Sequence, residues 1–592
     1  MISATTWVPR GFASEFPEKY VLDDEEMARI DKMADLHLDD REEDDEEAKE
    51  KVDSEKLKDT AEVDDDLKEY DFEHYDEEPD NVFLGQSAEM FPGISNTGAK
   101  LMNETREKSG ENEEEGEGEE EVGQDKYLQL PTKEDVLEQK QEFQVYPTDN
   151  QILATRTDDG VSYLDVYIYD DGAGAPAGSQ EEEADKQDPD VARGMVRGSS
   201  LYIHHDLMLP NFPLCVEWLS FQPQGEVDAS NTGNFAAVGT MDPTIEIWNL
   251  DCVDKAFPDV ILGDMNEAEL EKEEEEKQRQ KTKTRHGKKS KKSKKSGKKV
   301  LPDRHTGAVL SLSHNHVFRN VLASSSADST VKLWDLSTCG VARSIDGLHH
   351  GREVSSTQWY GTESEEDGSV LLTGGYDSYC AVSDVRIDDV AQMSKLYRAG
   401  SNGEEVEAVC WKRSSGKGAN TYFYAGTDQG NVYFFDIRKE DKPVWSLHAH
   451  DSGITSLTCN PYLGDMLVTG AMGDKQVKLW KTAPKPSMVT SRNLDCGNVL
   501  SACFAPDIEV AGDLVVGGST PGLKMWDCFS NRYVRRAFKD ELKAVQTRAR
   551  KEAQVSGRAS RIARKYVNDD VKDVVFAVDE DEDEEDEEEE EK

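Results

Sequence analysis

The sequence predicts an all-β fold, a seven-bladed propeller with a long acidic, disordered arm at each end. Three observations carry that prediction. A short strand motif recurs along the middle of the chain, each recurrence contains the same kind of turn, and the charge imbalance lies almost wholly outside the repeating region. The 592 residues hold 69 Lys and Arg against 123 Asp and Glu.

The motif alternates and ends in an aromatic followed by Asp or Asn. It stands as Ile245-Glu246-Ile247-Trp248-Asn249, Val331-Lys332-Leu333-Trp334-Asp335, Val432-Tyr433-Phe434-Phe435-Asp436 and Leu523-Lys524-Met525-Trp526-Asp527. Val477-Lys478-Leu479-Trp480-Lys481 lacks only the final acid, and Ala381-Val382-Ser383-Asp384 lacks only the aromatic. From Asp335 the steps are 49, 52, 45 and 46 residues. Upstream of each aromatic lies an apolar run ending in small residues, such as Val321-Leu322-Ala323-Ser324, then a turn that usually carries Asp. Such runs split by Gly or Asp turns read as hairpins. A period near 45 with this grammar resembles the WD40 repeat, four strands to a blade. Six units are explicit from Leu214 to about Phe538, and a weaker one covers Gln151 to Asp170. The expected propeller spans 141–538, with an acidic insertion at 171–198 and an acidic-then-basic one at 264–303.

Two sets of polar residues repeat with the strands: His305, Ser324, Asp328 and Trp334, and His450, Thr469, Asp474 and Trp480. They match the spacing of the hydrogen-bonded tetrad of WD repeats. An active site is needed once, whereas a scaffold is needed in every blade, so the repetition points to structure. No G-x-x-x-x-G-K-[ST] is present, and Gly517-Gly518-Ser519-Thr520-Pro521 has Pro where a nucleophile elbow needs Gly. The doublets His204-His205 and His349-His350 lack further ligands at metal spacing. No enzyme activity, cofactor, metal or small-molecule substrate is expected.

The flanks differ. Residues 1–140 hold 46 acids and 16 bases, and residues 568–592 hold 16 and 2, including thirteen consecutive acids from Asp579 to Glu591. Both read as disordered. Within the first, Trp7, Pro9, Arg10, Phe12, Phe16 and Tyr20, then Met27 and Ile30, form apolar islands that read as partner-docking segments. Deleting 1–22 is therefore expected to leave the propeller folded. Residues 281–299 hold 11 Lys and Arg, and Lys288, Lys289, Lys291, Lys292, Lys294 and Lys295 suit nuclear import and sequence-blind phosphate contact. Residues 539–567 read as a basic helical extension. Phe538, Leu542, Val545, Ala549 and Ala553 step by three or four, and a second stretch follows Gly557. Its RNA-contact candidates are Arg548, Arg550, Lys551, Arg558, Arg561, Arg564 and Lys565. The longest apolar run has five residues, Val574 to Val578, against the ~20 of a spanning helix. Nine cysteines without a C-x-x-C pair read as reduced thiols of an intracellular protein.

Segments outside the repeats are more specific. Trp7-Val8-Pro9-Arg10-Gly11, Glu15-Phe16-Pro17-Glu18-Lys19-Tyr20-Val21-Leu22, Asp188-Pro189-Asp190-Val191-Ala192-Arg193-Gly194, His204-His205-Asp206-Leu207-Met208-Leu209-Pro210 and Ser560-Arg561-Ile562-Ala563-Arg564-Lys565-Tyr566 resemble the fungal periodic tryptophan protein 1 family. The resemblance implies a nucleolar, hence nuclear, scaffold for assembly of the large ribosomal subunit. It would contact pre-rRNA, ribosomal proteins and other assembly factors. Two alternatives stay open. One is a histone-binding propeller. The other is a substrate receptor of a cullin-type ubiquitin ligase, since Phe435-Asp436-Ile437-Arg438 and Ser383-Asp384-Val385-Arg386 carry the Asp-x-Arg found in that class.

Overall fold

The computed structural model describes residues 1–20, 143–172, 198–264, 303–361, 367–400, 403–413, 421–439, 442–556, 560–566 and 575–577. Met27, Ile30, the six candidate lysines from Lys288 to Lys295 and Arg558 lie outside the described residues.

Seven four-stranded antiparallel sheets form the blades of a β-propeller. Blade 1 takes Ile2–Val8, Asn150–Asp158, Val161–Asp170 and Ser200–Leu209, in that order outward from the axis. Blade 2 takes Pro213–Leu219, Phe235–Thr240, Ile245–Asn249 and Val260–Leu262. Blades 3, 4, 5 and 6 follow with inner strands Val309–His314, Val354–Trp359, Val406–Trp411 and Ile454–Cys459. Blade 7 takes Val499–Phe504, Asp513–Gly518, Lys524–Asp527 and Val575–Ala577. The inner strands contact one another in a ring, and Ile2–Val8 lies between those of blades 7 and 2.

One packing rule repeats between blades. In five blades the next-to-last residue of the second strand is a glycine, because the next blade's first apolar side chain occupies the space a Cβ would need. Gly239 meets Val309, Gly374 meets Val406, Gly426 meets Ile454, Gly470 meets Val499 and Gly517 meets Ile2, all closer than 3.0 Å to such a Cβ. Ile2 thus takes the place that Val309 and its equivalents take elsewhere.

Two boundaries need correction. The propeller does not run from 141 to 538. Its first blade borrows its inner strand from the supposed arm, and its last borrows its outer strand from the supposed tail, with Val575 opposite Trp526 and Ala577 opposite Lys524. Seven complete sheets need 28 strands, and residues 141–538 supply two too few; the missing pair comes from either side. The docking role also fails for Trp7 and Phe12, which pack on the propeller instead. Trp7 is 4% exposed, in a core shared by Ile152, Tyr167 and Tyr169 of blade 1 with Val515 and Met525 of blade 7. Phe12 lies edge-on to Trp218, with ring centres 4.7 Å apart. Glu18–Lys19 then pairs in parallel with Cys252–Val253.

After blade 7's third strand come three helices: α1 (Arg532–Ala537), α2 (Lys539–Ser556) and α3 (Arg561–Lys565). The Asn531 side chain caps α1 by accepting from Tyr533 N–H. Phe538, Leu542, Val545 and Ala549 pack with Leu463 and Met466 of blade 6 and with Ile508 and Phe529 of blade 7. All nine cysteines are free thiols.

Candidate nucleic-acid interface

The two borrowed strands bring both flanks of the chain to the joint between blades 7 and 1. From the N-terminal side, Thr5 N–H donates to Ser501 Oγ at 3.1 Å, and the Trp7 indole N–H donates to Cys503 O at 3.1 Å. Arg10 then spans the joint. Its Nε donates to Asn150 Oδ1 at 2.7 Å and its Nη2 to Asp171 Oδ2 at 2.6 Å, while its backbone N–H donates to Asp507 of blade 7 at 3.2 Å. Burial works against charge on this guanidinium, but Asp171 and Asp507 hold its pKa above the ordinary value. Arg10 is therefore a closure residue and not a docking one.

From the C-terminal side, α3 does the same work. Arg561, 1% exposed, donates to Asp513 Oδ2 of blade 7 at 3.1 Å and to Tyr169 OH of blade 1 at 2.9 Å. Tyr566 OH donates to Asp527 Oδ2 at 2.7 Å, and Lys565 Nζ lies 3.0 Å from the same oxygen. Glu509 accepts from Ser560 Oγ and Ile562 N–H at 3.1 and 3.2 Å. Two carboxylates, Asp513 and Asp527, thus face two cations in a dry site, which keeps charge balanced where desolvation is expensive. The expectation that Arg561 and Lys565 contact RNA is corrected on this ground, because both cations are consumed internally. Backbone lies on α3 for Arg564, whose side chain is outside the described residues.

The helix that α3 anchors is where the exposed cations gather. The buried stripe of α2 leaves Lys539, Lys543, Arg550 and Lys551 exposed, with Arg532 and Arg536 of α1 beside them. Arg550 also donates to Ala563 O at 3.3 Å, and Gln546 to Ile562 O at 3.1 Å, tying α2 to α3. Arg548 is exposed but pairs with Glu552 at 2.7 Å. Of the seven RNA candidates in this region, Arg548, Arg550 and Lys551 therefore stay exposed, Arg548 on the flank of α2 that faces Tyr462 and Arg550 on the flank that faces α3. Sequence reasoning passed over Arg532, Arg536, Lys539 and Lys543, although the spacing of three and four among the last three was visible.

The tetrad residues sit inside their blades. Neutral His305 donates from Nδ1 to Asp328 at 2.9 Å and accepts at Nε2 from Ser324 Oγ at 2.6 Å, while Trp334 Nε1 donates to Ser324 Oγ at 2.8 Å. His450, Asp474, Thr469 and Trp480 repeat this with distances of 2.9, 2.8 and 3.0 Å. Burial lowers both imidazole pKa values, against the pull of Asp328 and Asp474. Blade 4 keeps His349 with Asp377 and Thr373, at 3.0 and 2.8 Å, so half of that doublet is a blade bond. Blade 5 replaces the imidazole by buried Glu404, which accepts from Thr427, Asn431 and Tyr433. The two Asp-x-Arg arginines fold back on their own aspartates, Arg386 on Asp384 at 2.7 Å and Arg438 on Asp436 at 2.9 Å. Phe16 is exposed and Tyr20 half-buried.

Comparison with known proteins agrees with this architecture. The family "WD domain, G-beta repeat" matches residues 298–335 and 441–481. Periodic tryptophan protein 1 of Saccharomyces cerevisiae is 50% identical over 601 aligned positions, covering 98% of this chain and 97% of the yeast protein. An uncharacterised WD repeat-containing protein of Schizosaccharomyces pombe is 34% identical over 95% of both chains. The periodic tryptophan protein 1 homolog of Drosophila melanogaster is 28% identical over 81% of this chain and 83% of its own length.

Proposed function

The chain belongs to the periodic tryptophan protein 1 family of WD-repeat proteins, and from that membership we propose that it is a non-catalytic scaffold in assembly of the large ribosomal subunit. On this reading it works in the nucleolus, holding precursor rRNA together with ribosomal proteins and other assembly factors. The observation that carries the reading is the outward face of α1 and α2. Seven exposed cations, Arg548 among them, lie on helices that α3 fixes to the blade 7–blade 1 joint. A rigid cationic face meets a phosphate backbone without paying to order itself first. The buried, repeated tetrads give no open catalytic group, which suits a scaffold.

The test is RNA crosslinking in cells followed by sequencing, combined with charge reversal at Lys539, Lys543, Arg550 and Lys551. The expected result is enrichment of large-subunit precursor sequences, and loss of co-sedimentation with large-subunit precursors in the variant at an unchanged melting temperature. Unaltered sedimentation, or crosslinks outside ribosomal precursors, would overturn the reading.

A further inference from the structure

A cleft of about 380 Å³ opens where α2 crosses blades 5 and 6. Lys412 and Arg413 enter it from the end of blade 5's inner strand, Tyr462 and Asp465 from a turn of blade 6, and Glu541 and Arg548 from α2. The acids are neutralised locally. Lys412 Nζ binds Asp465 at 2.5 Å, and Lys481 Nζ binds Glu541 at 2.9 Å. The Arg548 guanidinium sits 5.6 Å from the centre of the Tyr462 ring, and Tyr462 OH is held by Pro506 O at 2.8 Å.

Arg413 differs from its neighbours. It is exposed, and its side chain makes no hydrogen bond or ion pair among the described residues. It shares the cleft lining with Tyr462, on which its charge acts, as it does on Glu217 of blade 2.

We propose that this cleft holds one nucleotide of a single-stranded RNA, with Arg413 on the phosphate and the Arg548–Tyr462 pair against the base. The volume is that of a small-ligand pocket. A guanidinium fork matches two phosphate oxygens, and guanidinium and aromatic planes are the surfaces on which unpaired bases stack. An acidic peptide would use Arg413 but would leave the Arg548–Tyr462 wall without a planar partner. The inference rests on the RNA reading above and narrows it to one contact.

Anisotropy of a labelled single-stranded RNA of about ten nucleotides, titrated with the full chain over a range of salt, tests it. Arg413→Ala is expected to weaken binding about tenfold and to make the slope of log affinity against log salt shallower by about 0.7. Arg413→Lys should restore the slope but not the affinity. Arg386→Ala, which removes an exposed arginine already spent on Asp384, should change neither. At about pH 5, where Glu217 is protonated and no longer feels the guanidinium, the melting temperature of Arg413→Ala should equal that of the wild type, since no side-chain hydrogen bond or ion pair is lost. Wild-type affinity and slope in Arg413→Ala would overturn the cleft proposal alone, whereas a wild-type chain that binds no RNA would overturn the RNA reading with it. Displacement of the RNA by a glutamate peptide at lower concentration than by unlabelled RNA would also overturn it, in favour of an acidic-peptide site.

Discussion

At the scale of single residues, Arg561 decides where the C-terminal segment sits. It reaches Asp513 on one blade and Tyr169 on the next, so its removal leaves a buried carboxylate without its partner. Arg561→Ala is expected to cost about 3–5 kcal/mol, read by denaturant unfolding, and to free α3 to proteolysis. A second, partly buried group carries a pH dependence. Glu217 accepts from His314 N–H at 3.0 Å. Burial pushes its carboxyl up to about 7, against the pull of that N–H and of Arg413. The folded value lies above the unfolded one, so this group's contribution is fully present below the ordinary glutamate pKa and is lost as pH rises through about 7. Glu217→Gln should therefore match the wild type at about pH 5 and exceed it at about pH 8 by about 1–3 kcal/mol. Melting curves at the two pH values check this, and an equal gain at both would refute it. Arg561 was misjudged from sequence because a run of cations on a short helix looks the same whether its partners are water, RNA or the acids of a distant blade. Asp513 lies 48 residues away and Tyr169 lies 392 away.

Among elements, legibility followed length and local pairing. Hairpins whose two strands are adjacent in sequence announced themselves by alternation and by an Asp turn, even in blade 4, where Ser383 stands in for the aromatic and its Oγ pairs with Ser394 Oγ at 2.8 Å. Strands whose partners are remote did not. Ile2–Val8 is followed by about 140 residues before its partner Asn150–Asp158, so its apolar residues looked like an island in an acidic arm. Val575–Ala577 has three residues, too few to show a period, and stands next to thirteen acids. A clue was Gly517, whose equivalents in blades 2, 4, 5 and 6 each precede an inner strand that the described residues after blade 7's third strand do not supply. A pair of truncations separates the two parts of the tail. Ending the chain after Val578 should leave the melting temperature unchanged. Ending it after Val567 exposes the edge of Lys524–Asp527 and removes Phe576 from Tyr169, 6.1 Å away, and should lower it by a few degrees.

For the whole molecule, the formal charge of −54 says little about any one surface. Strand direction sorts the insertions instead. The helices and the chain leaving at Tyr20 lie at the ends where inner strands finish. Asp264 and Ala577 lie at the opposite ends, where inner strands begin. Ala577, the last described residue before the thirteen acids, is therefore at the opposite end of the blades from α2. The ring is also closed without covalent continuity, because its first inner strand is joined to the rest only through residues 21–142. A protease cut within that stretch should leave the N-terminal fragment bound, and the two pieces should co-elute in size exclusion until denaturant is added. Separation under native conditions would contradict the closure. Conversely, deletion of 1–19 should abolish cooperative unfolding, the opposite of what the sequence led one to expect.

That first strand also sets a clock on synthesis. Ile2 and Trp7 are made almost at once, but Gly517 and Cys503, their respective partners across the last joint, follow about 500 residues later. At about 5–20 residues per second the wait is roughly 25–100 s. For that interval one flank of blade 1, with Ile2, Ile152, Tyr167 and Tyr169, has nothing to cover it. Completion of the ring therefore waits on the whole chain, and the flank stays open until the last blade has been made.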